Sequence, residues 1–296
     1  MEKIGYLLVL LFTIANALEY LLIKAAGLNT YISGMIMFGT ASIFLGIVLF
    51  VRRKNQPSHY HVPLKKVLVI GVISFVINIL WLKGLEYTSA TNASLLGKTD
   101  IAFSMLFSLI LLRERIHGKT LLFIGLMVVG IVFVMQVKFS DLSSLNIGDV
   151  FVIVSAMLLA FNAFLVRKVL DHTSPFKIAL INCLVNVLGF AIVFFFKQLH
   201  TETYAAKSII LTIIAGFVCF LFFCGYYPSL KIFPLWKVRA LALLIPIFTV
   251  VGDLFFLHEK LTLSQLGGIG LVLLGVLGII LYEKKKSEKI QRAYER

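Results

Sequence analysis

Ten apolar segments, each close to the 20 or so residues a helix needs to cross hydrocarbon, follow one another along this chain of 296 residues. They run roughly Ile4 to Ile23, Thr30 to Val51, Leu64 to Leu82, Thr88 to Leu112, Thr120 to Val137, Asp149 to Val166, Phe176 to Phe196, Ser208 to Tyr227, Ile232 to Leu257 and Leu263 to Tyr282. That pattern predicts an all-α polytopic membrane protein. Composition excludes a soluble domain: 60% of residues are hydrophobic, 14% are charged and the mean hydropathy is +0.99.

The segments come in two sets. Leu85 through Arg113-Glu114-Arg115 superposes without a gap on Leu230 through His258-Glu259-Lys260, and Gly125 and Gly130 then fall on Gly270 and Gly275. The expected units are a first five-helix repeat over 1–137, a second over 149–282 and a basic tail over 283–296. Basic residues outnumber acidic ones 28 to 14, and with a cytoplasmic N-terminus 19 of them fall on the cytoplasmic side against 6 outside. This bias predicts both termini in the cytoplasm of a multi-pass protein of the cell (inner) membrane. Five spans are an odd number, so the ten helices form two inverted repeats, an arrangement that places a binding site near the bilayer midplane between them.

Charges inside spans are costly, roughly 2.5 to 3.5 kcal/mol each by insertion scales, and face a bundle interior or a cavity. Six fall here: Lys98, Lys237, Arg239, Glu19, Asp100 and Asp253. Structural ion pairing and the lining of a transport path are both open readings. On an unbroken helix Lys98 and Asp100 point about 200° apart, while Lys98 shares a face with Ser94 and Thr91. Arg239 is the second-repeat match of Ser94, so Lys98 and Arg239 occupy equivalent faces of equivalent helices. Asn16, Glu19 and Ile23 make one polar-edged stripe in the first span, with Asn162 near the position related to Asn16. Glu19 is the leading candidate for proton coupling; a salt bridge to Lys98 is its structural alternative. Trp81 matches Tyr226, as belt residues or as a substrate wall. Asn78, Asn182 and Asn186 suit either interhelical hydrogen bonds or a ligand. The substrate-binding set is therefore Lys98, Arg239, Asn16, Asn78, Trp81, Ser94, Asp100, Asn162 and Tyr226.

Other chemistry finds no support. Cys183, Cys219 and Cys224 lack CxxC spacing and read as small core residues. No protease, P-loop or hydrolase motif occurs, and the histidines lie in loops or at span ends, so no metal, cofactor or enzyme activity is expected. No basic stripe interleaved with aromatics suggests nucleic acid. Gly268 and Gly275 share a face suited to close helix contact, either within the chain or in a homodimer.

Two inverted five-helix units, each with a fourth helix ending in Leu-x-Glu (Leu112-Arg113-Glu114 and Leu257-His258-Glu259) ahead of a Gly-rich fifth helix, resemble the EamA family of the drug/metabolite transporter superfamily. The resemblance covers nearly the whole chain. It implies alternating access around a cavity lined by the first, third, fourth, sixth, eighth and ninth helices, and amino acids, other metabolites or drugs as cargo. One departure is visible: the family often carries a proline after the middle of the fourth helix in both repeats, and here only the second has it, as Pro246. The expected activity is export of a small polar or anionic metabolite such as an amino acid, with protons as candidate coupling ion. The alternatives are export of amphiphilic cations and a non-transporting membrane scaffold.

Overall fold

The computed structural model describes residues 2–52, 63–87, 96–114, 116–134, 146–196, 204–256 and 262–294. The described residues form eleven helices and no strand: α1 (Glu2–Ala26), α2 (Thr30–Val51), α3 (Leu64–Tyr87), α4 (Asp100–Ile110), α5 (Gly118–Val134), α6 (Ile147–Leu170), α7 (Pro175–Phe196), α8 (Ala206–Ile232), α9 (Leu235–Leu241), α10 (Leu244–Phe256) and α11 (Leu263–Tyr294). Among them eight spans are long and apolar enough to cross a membrane, α9 and α10 forming one of these together, while α4 and α5 are shorter apolar helices. Ten spans in two five-helix repeats account for the set.

Local chemistry places several starts. Asn29 caps α2 by accepting from the Tyr31 N–H at 2.9 Å. Asn146 and Asp149 form a capping box at α6, each side chain accepting from the other's backbone N–H at 3.0 and 2.9 Å.

Helix contacts repeat across the two halves. α1 packs along α8 as α3 packs along α6; α2 meets α7 and α5 meets α11; α4 rests on α6 as α1 rests on α10. Exchanging the first five spans for the second five maps this set onto itself. Since lipid is as apolar as leucine, the hydrophobic effect does not drive these contacts and close van der Waals approach must. Accordingly, glycine sits where backbones nearly touch. A Cβ on Gly225 would lie 2.6 Å from the Leu8 carbonyl, and one on Gly268 would lie 2.6 Å from that of Gly130. The glycine face of the tenth span is thus used inside the chain, against α5. Exposed side chains such as Ile43, Phe50, Leu122, Leu188 and Phe196 cover the outside and face lipid.

Two spans differ from the continuous helices expected. The fourth is interrupted at Lys98-Thr99, where Thr99 bonds back three residues to Leu96 and Ile101 to Lys98. The ninth is interrupted at Ala242-Leu243, with the same three-residue bonds from Leu243 to Ala240 and from Ile245 to Ala242. Pro246 has no N–H to bond the Ala242 carbonyl, which accounts for the second break. The first occurs without a proline, Ile101 standing at the matched position, and the Thr99 hydroxyl donates to the Leu96 carbonyl at 2.6 Å there. Elsewhere α3 and α11 outrun their apolar segments, ending at Tyr87 and Tyr294.

The end of α4 explains the Leu-x-Glu motif. Arg113 adopts the left-handed conformation (φ 55°), which turns the Glu114 N–H back onto the Ser108 carbonyl at 2.9 Å. Glu114 is thereby aimed at α9, and its two carboxylate oxygens accept from the Leu235 N–H at 3.1 and 3.2 Å. A residue of the first repeat caps a helix of the second. Its match Glu259 lies outside the described residues. Glu114→Ala is expected to destabilise by roughly 1 to 2 kcal/mol, read as a melting temperature lower by a few degrees in detergent. Arg113→Gly relieves a left-handed side chain worth roughly 1 kcal/mol and should raise it; an unchanged value for both would show the cap to be idle.

Candidate functional site

The interrupted spans bring charge together in the interior. α4 begins at the break with Asp100 and α9 ends at the other break with Arg239 just inside it, so the two helix ends meet. Asp100 and Arg239 form a buried ion pair, their side chains 7% and 10% exposed. Arg239 also donates through Nη1 to the Tyr226 hydroxyl at 3.4 Å and lies 6.0 Å from that ring's centroid. Tyr226 is in turn held by Phe12 of α1 at 5.4 Å and stacked on Phe222 at 5.2 Å. Arg239 and Asp100 satisfy one another's charge, which makes this cluster a tie between repeats first and a ligand site second.

Lys98 stands on the turn between the halves of the fourth span, close enough to Arg239 for the two cations to repel. It is half-buried, and no carboxylate among the described residues pairs with it. The expectation that Lys98 and Asp100 point opposite ways rested on 100° per residue, and the interruption between them removes that regularity: both lie near Arg239. Beside Lys98, the edge of the Trp81 indole lies against the bare Cα of Gly97, where a Cβ would come within 2.8 Å of the ring.

Glu19 is half-buried, and part of its side chain remains accessible. No basic side chain among the described residues pairs with it. The thiols of Cys219 on α8 and Cys183 on α7 lie close by. Asn16 is half-buried one turn away on the same helix. From sequence Cys219 reads as a small core residue; the packing of α1 on α8 brings it beside Glu19.

A polar ladder completes the interior. The Asn78 amide donates to Asn186 Oδ1 at 2.8 Å, Asn186 donates to Asn182 Oδ1 at 2.8 Å and to Ser74 at 3.3 Å, and Asn182 donates to the Tyr227 hydroxyl at 2.6 Å. These bonds tie α3, α7 and α8 together, so Asn78 serves interhelical bonding. Asn162 is buried in α6 with Oδ1 unbonded among the described residues. Ser94 and the Asp253 side chain lie outside the described residues, and among those described no cluster of three or more metal-ligating side chains occurs.

The family model of the EamA-like transporter family matches residues 3–136 and, a second time, 146–281. The chain belongs to that family. EamA-like relatives include the uncharacterized transporters YcxC and YetK of Bacillus subtilis (strain 168). The first is 24% identical over 70% of this chain and 69% of its own length, the second 25% identical over 90% and 82%. A solved crystal structure superposes with a TM-score of 0.76 over 95% of both chains at 15% identity, a likeness of fold. The EamA-like chain is thus a multi-pass membrane protein of a transporter family, and the site above lies where its two repeats meet.

Asp100→Asn should destabilise the EamA-like fold strongly, by about 3 to 5 kcal/mol, because it strands a buried guanidinium. The double variant Asp100→Leu with Arg239→Met is expected to regain most of that loss in melting temperature. A double variant as unstable as the single one would mean the pair does more than offset its own charges.

Proposed function

We propose that this EamA-like protein is a secondary active transporter that exports a small zwitterionic or anionic metabolite, such as an amino acid, by alternating access and coupled to protons. It works in the cell membrane with both termini cytoplasmic, its repeats spanning 1–137 and 149–282 ahead of the basic tail. One observation carries the reading: of the charges inside the spans, Lys98 and Glu19 keep accessible surface and meet no opposite charge among the described residues. Arg239, by contrast, is held by Asp100. One unpaired cation and one unpaired carboxylate among the described interior charges complement a small molecule that carries both charges. Lys98 takes the substrate's carboxylate, and Glu19 takes either the ammonium group or the coupling proton, with Trp81 and Asn16 shaping the space beside them.

A hydrogen bond to a charged group contributes about 1.5 to 3 kcal/mol, so Lys98→Ala should weaken substrate binding roughly ten- to a hundredfold, with partial rescue by Lys98→Arg. Thermal stabilisation of purified protein by a panel of amino acids, organic anions and amphiphilic cations measures this. Stabilisation by cations alone, unaffected in Lys98→Ala, would favour the drug-export alternative. In proteoliposomes, transport by Glu19→Gln is expected to lose its response to a pH gradient that wild type obeys. A gradient response identical in the two proteins would remove Glu19 from the coupling step.

A further inference from the structure

We infer that the helical extension at the end of α11 is a docking surface for anionic phospholipid headgroups. α11 runs for 32 residues, whereas its apolar membrane segment, Leu263–Lys285, takes only 23. The nine residues beyond, Lys286 to Tyr294, remain helical and reach about 14 Å past the segment at 1.5 Å per residue. That distance covers the headgroup layer, which adds roughly 5 to 8 Å to each side of the hydrocarbon.

The extension is basic where it crosses this layer. Lys284 and Lys285 are exposed, and Lys286, Lys289 and Arg292 follow. Lys285, Lys289 and Arg292 stand at i, i+4 and i+7 and share one helix face. Two acidic residues lie in reach. Glu288 stands four residues from both Lys284 and Arg292. Glu283 is already engaged: its carboxylate pairs with Lys237, which is 2% exposed and sits over the rings of Phe233 and Tyr6 at 4.2 and 4.9 Å. That cage ties α11 to α1 and α9, removes Glu283 from the charge balance of the extension, and fixes where the extension leaves the bundle. The first anions within a Debye length of a basic helix rising from the hydrocarbon boundary are headgroup phosphates. The inference rests on membrane placement alone and is independent of the transported substrate.

The test uses full-length protein in neutral detergent, with bound lipid counted by native mass spectrometry after addition of phosphatidylglycerol or of phosphatidylcholine with the same acyl chains. Phosphatidylglycerol is expected to bind in preference, and the preference to fall at least about tenfold in K284Q/K285Q/K286Q/K289Q/R292Q and on moving from low salt to 0.5 M salt. K65Q/K66Q, which neutralises two exposed lysines at the start of α3, should keep the preference. The inference is overturned by equal binding of both lipids, by an unchanged preference in the five-residue variant, or by an equal loss in K65Q/K66Q. Competition by soluble glycerol phosphate at lipid-like concentrations would point to a free-phosphate site and overturn it too.

Discussion

Hydrocarbon supplies no hydrogen-bond partner, so every interrupted helix in a bilayer must find its partners within the protein. In this chain that demand is concentrated where the fourth and ninth spans break and meet. Asp100 and Arg239 neutralise one another across the junction, Tyr226 takes a further guanidinium hydrogen, and Glu114 accepts from the Leu235 N–H at the buried start of α9. Every one of these groups would be costly alone. Their mutual pairing, which leaves only Arg239 Nε of this cluster unbonded among the described residues, lets the two broken helices meet, and the remaining spans pack in pairs.

The junction also sorts the interior into compensated and uncompensated charge. Arg239 is the more strongly cationic group by chemistry, but Asp100 occupies it. Lys98, on the turn itself, has no carboxylate among the described residues to hold it. Helix interruption thereby has two effects: it exposes backbone groups that must be tied down, and it places one cation where no described carboxylate meets it. Glu19 reaches the interior by another route, on an unbroken helix whose close approach to α8 depends on the bare backbone at Gly225.

Much of the fold could be read directly. Segment length gave ten spans, the gapless match of Leu85–Glu114 to Leu230–Glu259 gave the repeat, and the glycines of the fifth and tenth spans marked a contact that the structure places within the chain. The interruption at Lys98-Thr99 was not legible because Ile101 stands where its counterpart has Pro246, and nothing local forbids a helix there. It follows from tertiary demand, since Asp100 must meet Arg239. The role of Glu114 was hidden for a similar reason: the residue it caps is 121 positions away, in the other repeat. Cys219 carried no signal at all, because a thiol among apolar residues comes beside a carboxylate only once α1 packs on α8.

The cap from Glu114 to Leu235 also bears on how such a chain could have arisen. The first five spans carry the acceptor but not the helix start that it serves. Translated alone, they would hold a carboxylate without the Leu235 N–H that it accepts from in the full chain. Fusion of two such copies builds that contact into every chain. It also frees each half to drift, one keeping a proline and the other placing a lysine at the same bend.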